Sequence, residues 1–194
     1  MKKIGLFFGS FNPIHVGHLI LANYILEHSD MEELWFVVSP QNPFKEKKSL
    51  LKDHHRLDMV QLAIKNYPKI RASNVEFSLP QPSYTIDTLT YLKEKYPDYT
   101  FALIMGEDNL DTLPKWKNFE KLISEYQIIA YPRTFEGEKK SHEYFQHENI
   151  SLINAPIIEL SATEIRNMIK DGKNVRPMLP PEVFEYLDGS SFYK

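Results

Sequence analysis

Short apolar runs alternate along this chain with longer stretches whose apolar residues recur at helical spacing. Strands buried on both faces give such runs, and strands that alternate with amphipathic helices build a parallel sheet covered on both sides. The first predicted strand spans residues 3–8. A helix over residues 17–28 follows, with Leu19, Ala22, Tyr24, Ile25 and Leu26 on its apolar face. Glu33–Val38 is the second strand and stops at Ser39-Pro40. Residues 41–50, with Pro43 and the basic run from Lys45 to Lys48, read as an exposed, mobile loop. Asp53 is the predicted cap of a helix reaching about Asn66, with Leu57, Val60, Leu62, Ala63 and Ile64 facing the core.

Short strands are expected at residues 70–71 and 75–77, then a turn at Pro80-Gln81-Pro82-Ser83 and a helix over Thr85–Lys95. Residues 100–105 form the strongest central strand. A helical turn over 106–113, ended by Pro114, and a short helix over 119–124 come next. Later strands fall at 126–130 and 150–153, separated by a charged surface insertion over 136–146, helical in part. Ser161 caps Ala162–Lys170, Asp171-Gly172 ends that helix, and Pro180-Pro181 open a last one running to Leu187. The expected fold is α/β: a Rossmann-like, doubly wound, mainly parallel sheet with helices on both faces. One domain over residues 1–194 carries it, with residues 161–188 as a small C-terminal helical subdomain.

A chain of 194 residues is long enough to bury a substantial core. A formal charge of −3 argues against a general nucleic-acid binder, which shows a basic face. No segment has the apolar length of a membrane span, and Met1-Lys2-Lys3 leads straight into a strand rather than a signal-peptide core. The expected setting is cytoplasmic, with no membrane partner; a homo-oligomer stays open. The chain has no cysteine, which removes disulfides, thiolate catalysis and cysteine zinc sites together.

The chemistry concentrates where the first strand ends, in Gly9-Ser10-Phe11-Asn12-Pro13-Ile14-His15-Val16-Gly17-His18. A strand end, a tight turn with exposed N–H groups and a helix opening form a ready site for phosphate. His15 and His18 add cationic or donor groups at the same place; each is equally readable as a cap or a buried hydrogen-bonded residue. Asn12 is the one nearby group that could help them hold a metal, and no carboxylate joins it, so no metal site is assigned.

His15 to His18 resembles the HxGH signature of the nucleotidyltransferase superfamily. Its second element, SxxxxR, stands as Ser161-Ala162-Thr163-Glu164-Ile165-Arg166. Further strings are similar to bacterial nicotinate-nucleotide adenylyltransferases: Pro40-Gln41-Asn42-Pro43-Phe44-Lys45, Arg56-Leu57-Asp58-Met59, Ser83-Tyr84-Thr85-Ile86-Asp87-Thr88-Leu89, Ile104-Met105-Gly106-Glu107-Asp108 and Leu113-Pro114-Lys115-Trp116. The chain departs from the commoner family form at Ser10 and Asn12, which replace Gly or Thr and Asp. It also aligns poorly over residues 133–149, leaving Arg133 without a role.

The resemblance implies adenylyl transfer from ATP to nicotinate mononucleotide, giving nicotinate adenine dinucleotide and pyrophosphate in NAD biosynthesis. Transfer is direct and in line, with no covalent intermediate, and Mg2+ rides on the ATP phosphates. It also implies roles for residues. His15, His18 and Arg166 are the catalytic donors. ATP binding falls to Gly9, Ser10, Phe11, His18, Gly106, Asp108, Ser161, Thr163 and Arg166, and the mononucleotide to Asn12, Lys45, Ser83, Tyr84, Thr85 and Trp116.

Read without the resemblance, several of these residues have plainer roles. Lys45 is one solvated lysine among several, Asp108 and Ser161 are helix caps, and Arg166 is a surface residue. Trp116 either covers a loop against the core or offers an indole face to a pyridinium ring. Rival assignments are a nicotinamide-mononucleotide or dual-specificity adenylyltransferase, the shorter pantetheine-phosphate enzyme, and a nucleotide-binding module without catalysis.

Overall fold

In the computed structural model, which describes residues 1–40, 50–133 and 143–194, six parallel strands form one sheet. They are β1 (Lys2–Gly9), β2 (Glu33–Val38), β3 (Ile70–Ser73), β4 (Tyr99–Gly106), β5 (Gln127–Tyr131) and β6 (Ile150–Leu152). Their spatial order is β3-β2-β1-β4-β5-β6, the doubly wound order, in which chain direction across the sheet reverses between β1 and β4. Ligands of such sheets bind at the carboxyl ends of the strands beside that reversal.

Period-2 side-chain alternation divides the core into two layers. Phe7, Leu34, Phe36, Ala102, Ile104 and Ile129 face one layer, with helices α1 (Val16–Glu27), α2 (Asp53–Ala63), α5 (Ala162–Lys170) and α6 (Pro181–Asp188) packed over it. Ile4, Leu6, Trp35, Val37, Leu103 and Ile128 face the other, under α3 (Thr85–Lys95) and α4 (Phe119–Glu125). Ile165 of α5 and Val183 and Leu187 of α6 are buried in the same cluster as Ile25 and Val60. Among the described residues no helix is long and apolar enough to cross a membrane.

The doubly wound sheet and most elements fall where the sequence places them. Three details differ. Residues 75–77 are not a strand but part of a 3-10 helix, Val75–Ser78, closed by Phe77 N–H to Asn74 O at 2.9 Å. That turn satisfies the segment's backbone locally, so it does not add to β3, which stays the edge of the sheet. Asp53 is not the cap of α2: Lys52 holds that position, and the Asp53 carboxylate instead pairs with Arg56 at 2.6 Å. Pro114 does not end its helical turn; a 3-10 segment, Glu107–Lys115, runs through it and closes with Trp116 N–H on Leu113 O at 3.0 Å. The expected loop at 41–50 and insertion at 136–146 lie largely outside the described residues, whose part of the insertion includes a 3-10 turn at Glu143–Gln146.

Candidate active site

At the β1–β4 reversal a cavity of about 460 Å3 opens, lined by residues that follow four different strands. His15, Gly17 and His18 come after β1, Asp108 after β4, Arg133 after β5, and Ser161 with Glu164 after β6. The chain leaves β1 through Gly9 and turns back at Phe11, whose φ of +45° is left-handed. The Phe11 ring is buried and packs edge-on to His18, with ring centres 5.1 Å apart. A Cβ on Gly9 would stand 2.8 Å from that ring, so the glycine is what lets the side chain fold under its own loop. The Phe11 ring is thus taken up by the core beneath the loop and does not face the cavity.

His15 is the N-cap of α1, and its ring stacks on His18 at 3.7 Å between centres. The His15 backbone N–H donates to His18 Nδ1 at 3.2 Å. That nitrogen must be the acceptor, so the neutral ring carries its proton on Nε2. His15 is only 5% exposed, and its Nδ1 is buried without a hydrogen-bond partner among the described residues. Burial, reinforced by the Arg133 charge, lowers its pKa from 6.5 to about 4. The sequence left cationic and donor roles open for both histidines; at neutral pH His15 is uncharged, which leaves it no cationic role.

This depressed pKa carries a stability consequence. Between pH 4 and 6.5 the unfolded imidazole binds a proton that the folded one refuses. Stability therefore rises with pH across that window, is fully present above it, and falls again on acidification. His15 accounts for about 3 kcal/mol of the change. Urea unfolding at pH 7 and pH 4.5 should show a smaller acid loss in His15→Asn than in the wild type; parallel losses would refute the assignment.

The cavity's cation is Arg133, which pairs with Asp108 at 3.2 Å. Gly106 makes room for this pair: a Cβ there would collide with Asp108 Oδ1 and stand 2.6 Å from Arg133 Cδ. Asp108 is thus held by Arg133 and by Asn109 rather than acting as a simple helix cap. Ser161 does cap α5, accepting Glu164 N–H at 3.1 Å. Arg166, one turn on, is not a free surface residue. It donates to the Asn12 carbonyl at 2.8 Å and to Thr163 Oγ1 at 3.2 Å, joining the two ends of the motif across 154 residues.

Residues 6–168 match the family described as cytidylyltransferase-like. A Flavobacterium johnsoniae protein named as a probable nicotinate-nucleotide adenylyltransferase is 55% identical over 192 residues, 99% of either chain. The chain belongs to the nicotinate-nucleotide adenylyltransferase family. A Bacteroides fragilis relative of the same name is 46% identical over 94% of this chain and 90% of its own. Among solved structures, the nicotinic acid mononucleotide adenylyltransferase of Plasmodium falciparum complexed with NaAD superposes with a TM-score of 0.84 at 26% identity, covering 100% of this chain and 98% of that one. The same protein complexed with APC gives a TM-score of 0.83.

The remaining family-motif residues divide in two. Ser83 is buried, Tyr84 caps α3 and Thr85 is its first residue. Trp116 is half-buried against the second core layer and donates through Nε1 to Thr112 Oγ1 at 3.4 Å. Lys117 staples the two segments, pairing with Asp87 at 2.7 Å and lying over the Tyr84 ring at 4.8 Å. Lys45 lies outside the described residues. Asn12 is nearly fully buried, and its Oδ1 accepts from Leu51 N–H and from the Tyr193 hydroxyl.

Arg133, which lines this cavity, and Tyr193, which bonds Asn12, had no role in the sequence reading. Arg133 follows the β5 strand, and a cation just past the carboxyl end of a predicted parallel strand is a signal that could have found it.

Proposed function

We propose that the protein transfers the adenylyl group of ATP to nicotinate mononucleotide, forming nicotinate adenine dinucleotide and pyrophosphate within one domain. One observation carries this reading: Arg166 meets, at 2.8 Å, the loop after β1 that leads into the stacked His15 and His18 at the reversal point of the sheet. A phosphate oxygen of the mononucleotide attacks the α-phosphorus of ATP. A new P–O bond forms while the bond from that phosphorus to the bridging oxygen breaks, and pyrophosphate leaves with the electron pair. The nucleophile is already an anion, so no general base is needed; the work is alignment and stabilisation of charge.

The site's chemistry suits that work. His18 offers Nε2–H, and the start of α1 contributes backbone N–H groups and the positive end of its dipole. Arg133 and Arg166 supply cationic donors. His15, uncharged at neutral pH, is suited to give a phosphate oxygen a neutral hydrogen bond. Asp108 is available to a ribose hydroxyl, and Ser161 and Thr163 to the ATP phosphates. Gly9, Ser10 and Phe11 offer the ligand backbone groups of the loop after β1, and Gly106 serves it indirectly by making room for Asp108 and Arg133. These donors address phosphate oxygens, and Mg2+ enters as part of the substrate, on ATP.

On the acceptor side, Ser83, Tyr84, Thr85 and Trp116, with Asn12 and Lys45, receive the mononucleotide. The N–H groups opening α3 favour a carboxylate over a carboxamide, and the Trp116 face suits a pyridinium ring. A pyrophosphate-release assay with ATP and either mononucleotide tests this. We expect kcat/KM for the nicotinate form to exceed that for the nicotinamide form by at least about tenfold, the effect of one favourable charge-assisted contact. Equal values would leave the reaction type and remove the acid selectivity; no turnover with either would leave a binding module.

A further inference from the structure

The segment after α6 folds back onto α2 and the loop after β1 from the far end of the sequence. Phe192 packs on the His55 ring of α2 with centres 4.6 Å apart, and its N–H bonds Ser190 Oγ at 3.1 Å. His55 in turn bonds the Tyr186 hydroxyl at 2.7 Å. So anchored, Tyr193 adopts a left-handed φ of +65°, an uncommon conformation for a residue with a bulky side chain. Its hydroxyl reaches Asn12 Oδ1, in the loop after β1, 181 residues away in sequence.

The direction of that bond follows from its neighbour. Leu51 N–H, which can only donate, meets the same Asn12 atom at 3.2 Å, so the atom is the carbonyl oxygen. Tyr193 therefore donates. Burial raises its pKa, although the nearby Arg166 and Arg56 charges pull the other way, so the phenol keeps its proton at all working pH values. Asn12 is consequently gripped from three sides: Tyr193 and Leu51 on its side chain, Arg166 on its backbone carbonyl.

We propose that Tyr193 is a positioning residue for adenylyl transfer: by holding Asn12, it sets the carbonyl that aims the Arg166 guanidinium. The proposal rests on the reading above that Arg166 contacts the transferring phosphates. The Tyr193 hydroxyl acts on Asn12. It acts through a loop whose φ/ψ values are special and whose carbonyl is the described backbone partner of Arg166.

Tyr193→Phe is the decisive variant, because it keeps the ring and its packing and removes only the donor. Its kcat should fall about tenfold, with KM for both substrates within about twofold and the melting temperature little changed, as expected for lost aim rather than lost binding. Combining it with Arg166→Lys should cost no more than Arg166→Lys alone, since the aimed group is already gone. Wild-type kcat in Tyr193→Phe, or losses that multiply in the double variant, would overturn the proposal while leaving Arg166 its role. Near-normal turnover in Arg166→Lys would instead remove Arg166 from the transfer step, and the Tyr193 proposal with it.

Discussion

Replacing His18 with alanine is expected to lower kcat by a factor of about 10^2 to 10^3, because the site loses a donor aimed at charge that develops during transfer. The geometry allows a sharper comparison than alanine gives. His18 does two things with its two nitrogens. Nδ1 accepts the His15 backbone N–H at 3.2 Å and helps close the start of α1, while Nε2–H, on the proposed reading, serves the transferring phosphate. An asparagine amide can reproduce the inner acceptor, and a glutamine amide can reach the outer donor position. His18→Asn should therefore keep the stability of the wild type but turn over as poorly as His18→Ala. His18→Gln should recover part of kcat. Steady-state kinetics together with thermal melts separate the two functions. If asparagine matches the wild type in kcat, Nε2 is not the donor and the assigned tautomer has no role in the reaction.

The largest stability effect is expected at Arg56, which has no exposed surface at all. Its guanidinium donates to the carbonyls of Leu51 (3.0 Å), Ser10 (2.6 Å), Ser39 (2.8 Å) and Pro40 (3.3 Å), and pairs with Asp53 at 2.6 Å. Burial draws its pKa down and the Asp53 carboxylate draws it back up, so the side chain stays charged. One residue thus ties the loop after β1, the end of β2 and the start of α2 into a single unit. Arg56→Met fills most of the volume but leaves several buried acceptors unpaired, which costs about 3–5 kcal/mol in systems of this kind. Arg56→Lys should lie close to it, because one ammonium cannot span acceptors that a planar fork reaches from both sides. Urea unfolding of both variants measures this. A loss below about 1 kcal/mol for Arg56→Met would mean that the carbonyls find other partners, such as water, and that the fork is dispensable.

Arg56 also shows where sequence reading stops. Its neighbours Leu57, Val60 and Ala63 carry the helical period, so α2 itself is legible, and Asp53 at the right distance before them looks like a cap. The structure gives Asp53 a different task as the counter-charge of Arg56. Nothing local distinguishes the two outcomes, because the carbonyls that make an arginine worth burying belong to segments up to 46 residues away. Tyr193 is the same case at greater range. Ser161, by contrast, caps α5 as its sequence position indicates, since a cap is satisfied within its own first turn.

The sequence by itself determined the α/β class, the strand and helix order, the phosphate-type loop after β1 and the family, through His15 to His18 and Ser161 to Arg166. These depend on periodicity and on contiguous motifs, which are properties of neighbouring residues. Only the tertiary structure decided which atoms meet. It joined Arg166 to Asn12, brought Arg133 beside Asp108, made His15 a neutral group by burying it, and drew Tyr193 into the loop after β1. Hydrogen bonds to distant carbonyls and the desolvation of a side chain are set by three-dimensional neighbours, and no spacing along the chain encodes them.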